Sequence, residues 1–166
     1  MGSGEGEMLV ANDVVDQIRL MRQARVFYPE PVPQDVIDQL LEIARWTGSS
    51  RNTQPWHFVL VQDKATLKRL SEARPPIGWV ADAPLAIALV MNGVAPDSEG
   101  YDEGRVTERL LLAANLLGYG GGTAWFLTAE EQDLAKATLG VPDEKSLRSI
   151  VVIGRPVHTT DPRVGW

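Results

Sequence analysis

SSRNTQPWHF, residues 49–58, is a polar junction between two apolar segments. Upstream, Val36, Ile37, Leu40, Leu41 and Ala44 recur at helical spacing, with Pro33 suited to the first turn and Gly48 to the stop. Downstream, His57 to Val61 reads as a strand. Small hydroxyls, two side-chain amides, a proline and a tryptophan therefore meet at one helix-to-strand turn. Such turns are where scaffolds hold ligands, although an ordinary loop in which Trp56 merely packs is the plainer reading.

Working outward, Val14, Val15, Ile18 and Met21 mark an earlier helix that Asn12 or Asp13 can cap. Asp63 caps a short helix bearing Leu67 and Leu70, which Pro75, Pro76 and Gly78 end. The apolar run from Pro84 to Met91 predicts a strand covered on both faces. Asn92 to Gly100 reads as loop. A long helix follows, with Val106, Leu110, Ala113, Ala114 and Leu117 on one side and Leu111, Leu112 and Leu116 on the other. Tyr119 to Leu127 is the next strand, Thr128 with Glu131 spells a capping box for a helix closing at Gly140, and Ser149 to Ile153 is the last strand. The elements do not alternate strand and helix strictly. They predict an α+β fold, a mixed but mainly antiparallel sheet of about four to five strands packed with helices. A single domain over 10–166 is expected behind a flexible leader or tag remnant over 1–9.

Composition narrows the function classes. Apolar residues at 44% and charged residues at 23% describe an ordered globular chain. A net charge of −6 disfavours nucleic acid, whose phosphates need a concentrated basic surface, but leaves room for a few arginines holding one phosphorylated ligand. Without cysteine there is no disulfide, thiol nucleophile or thiolate metal site, and His57 and His158 have no metal-ligand spacing. No apolar run approaches the ~20 residues that span a bilayer, so a cytoplasmic protein without a membrane partner is expected. No serine combines a nucleophile elbow with an evident base. Asp102 and Glu103 read as acidic residues placed before the long helix to favour its positive end, in preference to a catalytic pair. His57 and Trp79 read as scaffold.

The junction resembles the Pro-Ser-x-x-Asn-x-Gln-Pro-Trp segment of the nitroreductase family of flavin-dependent oxidoreductases. Ser49, Asn52, Gln54, Pro55 and Trp56 match, and Gly48 replaces the proline. Upstream, Arg22, Arg25 and Phe27 resemble the family's Arg-Arg-Ser-x-Arg-x-Phe, with Met21 at the first arginine and Gln23 at the serine. The resemblance covers roughly Val14 to Arg163 in one motif order. It implies FMN as cofactor, with Arg22, Gln23 and Arg25 toward its phosphate and ribityl chain. A guanidinium suits that task because it presents paired donors and keeps its charge. It also implies that Gly121, Gly122, Thr123 and Ala124 lay backbone amides against the flavin ring, and that Arg163 near the end reaches the phosphate; a surface tail is the other reading of Arg163.

As the resemblance implies, NADH or NADPH would reduce FMN, which would then serve a nitroaromatic, quinone or similar small-molecule acceptor in a ping-pong cycle. It further implies a homodimer with flavins at the interface, so that Ser49, Ser50 and Asn52, with Gln54 beside them, reach the cofactor of the other subunit. The apolar helix around Leu110 to Leu117 has more faces than one small sheet covers, which fits an isologous dimer. The short 92–100 connection replaces a longer family insertion and implies an open pocket. Met21 and Gln23 keep an alternative in play, a dimeric homologue with lost or altered FMN binding.

Overall fold

The computed structural model describes residues 14–157. It opens with a helix over 14–20 (α1), followed by an extended segment and α2 (Gln34–Arg45). Then come β1 (Trp56–Val61), α3 (Lys64–Glu72), a run of 3₁₀ turns (Pro75–Asp82), β2 (Leu85–Met91), α4 (Pro96–Leu116), β3 (Gly120–Trp125), α5 (Ala129–Leu139) and β4 (Ser146–Gly154). The four strands form one sheet in the order β1-β2-β4-β3, and every pairing is antiparallel. Among the described residues the expected α+β architecture, with five helices and four strands, is the one observed.

β2 sits in the middle and is buried along its whole length. The pleat sends Leu85, Ile87, Leu89 and Met91 to the layer of α2 and α4, and Ala86, Ala88 and Val90 to the layer of α3 and α5. Large side chains meet the long helix, and small ones let the shorter helices approach. β4 carries one extra residue opposite Ala88 to Val90, a bulge that keeps Leu147 and Ile150 on the same side.

Local chemistry explains the helix limits. Asp63 accepts from the Thr66 amide to start α3. Thr128 and Glu131 form the reciprocal capping box of α5, and Gly140 stops it in the left-handed conformation at φ 65°.

α2 ends at Arg45 with Trp46 as its C-cap, short of the expected Gly48, and β3 spans 120–125 within the expected 119–127; two further boundaries matter to the site. α4 begins at Pro96, inside the segment read as loop, because Pro96 occupies the first turn and Glu99 reaches back to the amides of Gly93, Val94 and Ala95. Asp102 and Glu103 therefore lie within the helix and are buried, so they do not precede it as dipole partners. β4 begins three residues before Ser149. Arg148 interrupts the apolar pattern ahead of Ser149; its Nε and the Ser149 hydroxyl both donate to Glu103, while Arg148 Nη2 makes no hydrogen bond among the described residues. Of α4's second apolar face, Leu111 is buried, Leu112 half-buried and Leu116 52% exposed.

Candidate functional site

The 49–54 loop follows α2 and turns on backbone conformations that L-residues seldom adopt. Arg51, Asn52 and Gln54 have φ of 52°, 57° and 46°. Three such residues within four positions persist only when their surroundings hold them. The Ser49 hydroxyl accepts from the Gln54 amide at 2.8 Å and closes the loop on itself. The carboxylate of Asp102 on α4 accepts from the Ser50 amide at 3.0 and 3.2 Å. Pro55 and Trp56 are buried and anchor the exit, where the Pro55 carbonyl accepts from the Asn92 amide. Among the described residues, the side chains of Ser50, Asn52 and Gln54 have no hydrogen-bond partner, and all three residues are exposed.

The second group of expected residues lies on the 21–28 segment, which runs beside the open edge of β3 and the end of β4. The Ala24 amide donates to the Gly121 carbonyl at 2.7 Å, the Tyr28 amide to the Arg155 carbonyl at 2.9 Å, and the Val157 amide to the Val26 carbonyl at 3.0 Å. The Gln23 side-chain oxygen accepts from the Thr123 amide at 3.3 Å. Gln23 thus occupies a ring-side amide that the resemblance gave to the flavin, while its own NH₂ stays available. Arg22 ties one guanidinium nitrogen to the carbonyls of Arg19 and Met21 and is exposed. Arg25 is exposed and stands over Trp79.

The glycines of β3 are explained by close approach. A Cβ on Gly121 would sit 2.7 Å from Leu111, and one on Gly122 would sit 2.6 Å from the Ala24 carbonyl. Gly121, Gly122 and Ala124 are buried in the sheet and Thr123 is half-buried. A depression lies at this corner, lined by Met21, Arg22, Gln23, Leu111, Asn115, Gly120 and Gly121. Arg163 and His158 fall outside the described residues.

The two groups are brought together with α4 but not with each other. The 49–54 loop is tied to Asp102, whereas the depression abuts Leu111 and Asn115. At 1.5 Å per residue these attachments are about 14–20 Å apart along the helix.

α4 carries three buried carboxylates, Glu99, Asp102 and Glu103. Glu99 is held below the ordinary carboxylate range: burial works against this, but the amides of Ala95, Gly93 and Val94 outweigh it. Glu103 is pushed up by burial, against the pull of the Ser149 hydroxyl and the Arg148 guanidinium. Arg148 Nε donates to it at 3.0 Å and Nη2 lies 2.8 Å away. Glu99, Asp102, Glu103, Val106, Leu110 and Ala113 follow one helical stripe, so carboxylates continuing an apolar face were the available signal. No group of three or more His, Cys, Asp or Glu suited to a metal occurs among the described residues. No helix there is long and apolar enough to cross a membrane.

Comparison with known proteins agrees with this geometry. The model of the nitroreductase family matches residues 21–86, which hold both the arginine segment and the 49–58 junction. An Archaeoglobus fulgidus protein provisionally named NADH dehydrogenase/NAD(P)H nitroreductase is 30% identical over 156 residues, 90% of this chain and 88% of its own. A like-named protein of Methanothermobacter thermautotrophicus is 26% identical over 91% of this chain and 81% of its own. In fold, an FMN-dependent nitroreductase from Clostridium difficile superposes with a TM-score of 0.83 at 24% identity, over 87% of this chain and 88% of that one. The chain belongs to the nitroreductase family, a class of NAD(P)H-dependent flavin oxidoreductases.

Proposed function

We propose that this protein is a cytoplasmic FMN-dependent oxidoreductase that takes reducing equivalents from NADH or NADPH and delivers them to a nitroaromatic, quinone or related acceptor in a ping-pong cycle. The observation that carries this reading is the 49–54 loop, which spends three left-handed backbone conformations to present Ser50, Asn52 and Gln54 without protein partners.

The donor chemistry fits FMN. Carboxamides offer a donor and an acceptor each, which suits the imide edge of a flavin ring. Arg22 and Arg25 are exposed cations on the segment beside β3, suited to a phosphate. The glycines at 120–122 let Ala24, Leu111 and Pro156 pack against β3, which holds the arginine segment beside the strand. The chemistry that FMN supplies when bound is two-electron exchange between the nicotinamide and the acceptor, so no protein acid or base is obligatory. The chain's own residues hold and orient: the arginines bind charge, Gln23 fixes the Thr123 amide, and the loop carboxamides set the ring-side polarity.

We further propose a homodimer in which the loop of one protomer meets the arginine segment of its partner. The separation of the two groups along α4 supports this, as do Trp46, Tyr101 and Leu116, apolar residues exposed on and beside α2 and α4. The test is direct. Purified protein should show flavin absorbance or take up FMN, and should then oxidise NADH or NADPH when a quinone or nitroaromatic is present. Protein that remains colourless after FMN addition overturns the reading.

A further inference from the structure

We infer that Asp102 is a positioning residue for the 49–54 loop, acting through the Ser50 amide and so setting how Ser50, Asn52 and Gln54 are presented; the inference rests on the FMN reading above.

Asp102 is 2% exposed, and burying a carboxylate is unfavourable unless bonds compensate. Its compensation is specific. Both oxygens receive the single N–H of Ser50, at 3.0 and 3.2 Å, and Arg105 stands 3.6 Å from one of them. Arg105 also lies under Gly48, where any Cβ would meet its guanidinium at 2.8 Å, so the pair braces the start of the loop. The other carboxylates of this turn are committed elsewhere: Glu99 to the 93–95 amides and Glu103 to Arg148 and Ser149 of β4.

The loop needs such an anchor. Its internal bonds are the Ser49 hydroxyl to the Gln54 amide and short turns within 49–53, and none of them fixes it to the core. The charge-assisted bond from Asp102 joins it to α4 on the side where the left-handed residues begin. Without the bond, Arg51, Asn52 and Gln54 can relax toward commoner conformations and redirect their side chains.

The test compares Asp102→Asn, which keeps the shape but loses the charge, with Glu103→Gln, an equally buried neighbour that ties α4 to β4. Asp102→Ser serves if the first variant does not fold. Two readouts are taken: hydrogen exchange of the peptide covering 47–55, and FMN affinity by titration of the apoprotein. For Asp102→Asn we expect exchange about tenfold faster in that peptide alone and FMN binding about tenfold weaker. For Glu103→Gln both should stay within about twofold of wild type. Wild-type exchange of the loop in Asp102→Asn overturns the assignment. So does an equal loosening in Glu103→Gln, and so does a loosened loop with unchanged FMN affinity. Wild-type protein that takes up no FMN overturns the flavin reading instead, and the exchange comparison still decides whether Asp102 anchors the loop.

Discussion

The guanidinium carbon of Arg25 lies 5.9 Å from the ring centroid of Trp79, which in turn packs against Phe27 at 6.4 Å. An exposed arginine is thereby held by a cation–π contact beside Gly122, whose missing side chain leaves room for the same tryptophan. Arg25→Ala should weaken FMN binding by about 1.5–3 kcal/mol through loss of a charge-assisted bond. Trp79→Leu should weaken it less, by about 0.5–1 kcal/mol, because the cation remains and only its orientation suffers. Equilibrium titration of apoprotein measures both, and unchanged affinity in Arg25→Ala removes that residue from the phosphate site.

Asn52 tests the other half of the site. Asn52→Ala should lower flavin retention or shift the flavin redox potential while the fold persists. Since φ is 57° here, alanine adds backbone strain of about 1–2 kcal/mol that glycine avoids. Asn52→Gly should therefore lose flavin equally yet melt higher than Asn52→Ala. Normal retention and potential in both variants would reduce the loop to packing.

Glu103 makes a pH prediction with a defined sign. Burial raises its native-state pKa above that of the unfolded chain, so the folded protein holds the proton more tightly. Its contribution to stability is full below the ordinary carboxylate range and is lost as pH rises through the native value. Relative to Glu103→Gln, wild type should be favoured most in acid, with the margin shrinking toward neutrality. Urea unfolding of both proteins across this range checks it, and a margin that grows with pH would mean that Arg148 outweighs burial.

Gly140 isolates a backbone effect. Nothing lies within 4 Å of a Cβ placed there, so Gly140→Ala meets only the φ of 65°. A loss of about 1–2 kcal/mol in unfolding free energy is expected without change in FMN binding. Thr128→Ala should cost about 1 kcal/mol by removing the capping box at the other end of α5.

Local signals were legible wherever one residue decides an outcome. Asp63, the Thr128–Glu131 pair and Gly140 each name a helix boundary, and the unbroken apolar run of β2 announces a central strand. The junction at 49–58 was visible because its polar residues interrupt two apolar segments. The start of α4 was not, since Gly93, Pro96, Ser98 and Gly100 resemble a loop until Glu99 is seen capping three amides at once. Asp102 escaped for a related reason. With the helix start placed after it, it passed for a dipole partner, because the amide it meets lies 52 residues earlier in the chain. The side-chain role of Gln23 depends likewise on Thr123, 100 residues away.

The distance between the two ends of α4 has a consequence for handling the protein. If each pocket draws on two protomers, cofactor retention and subunit association are linked equilibria, and each strengthens the other by mass action. Diluted protein should then shed flavin more readily than concentrated protein at the same free FMN. The thermal midpoint of the holoprotein should rise with protein concentration even when the cofactor is held constant.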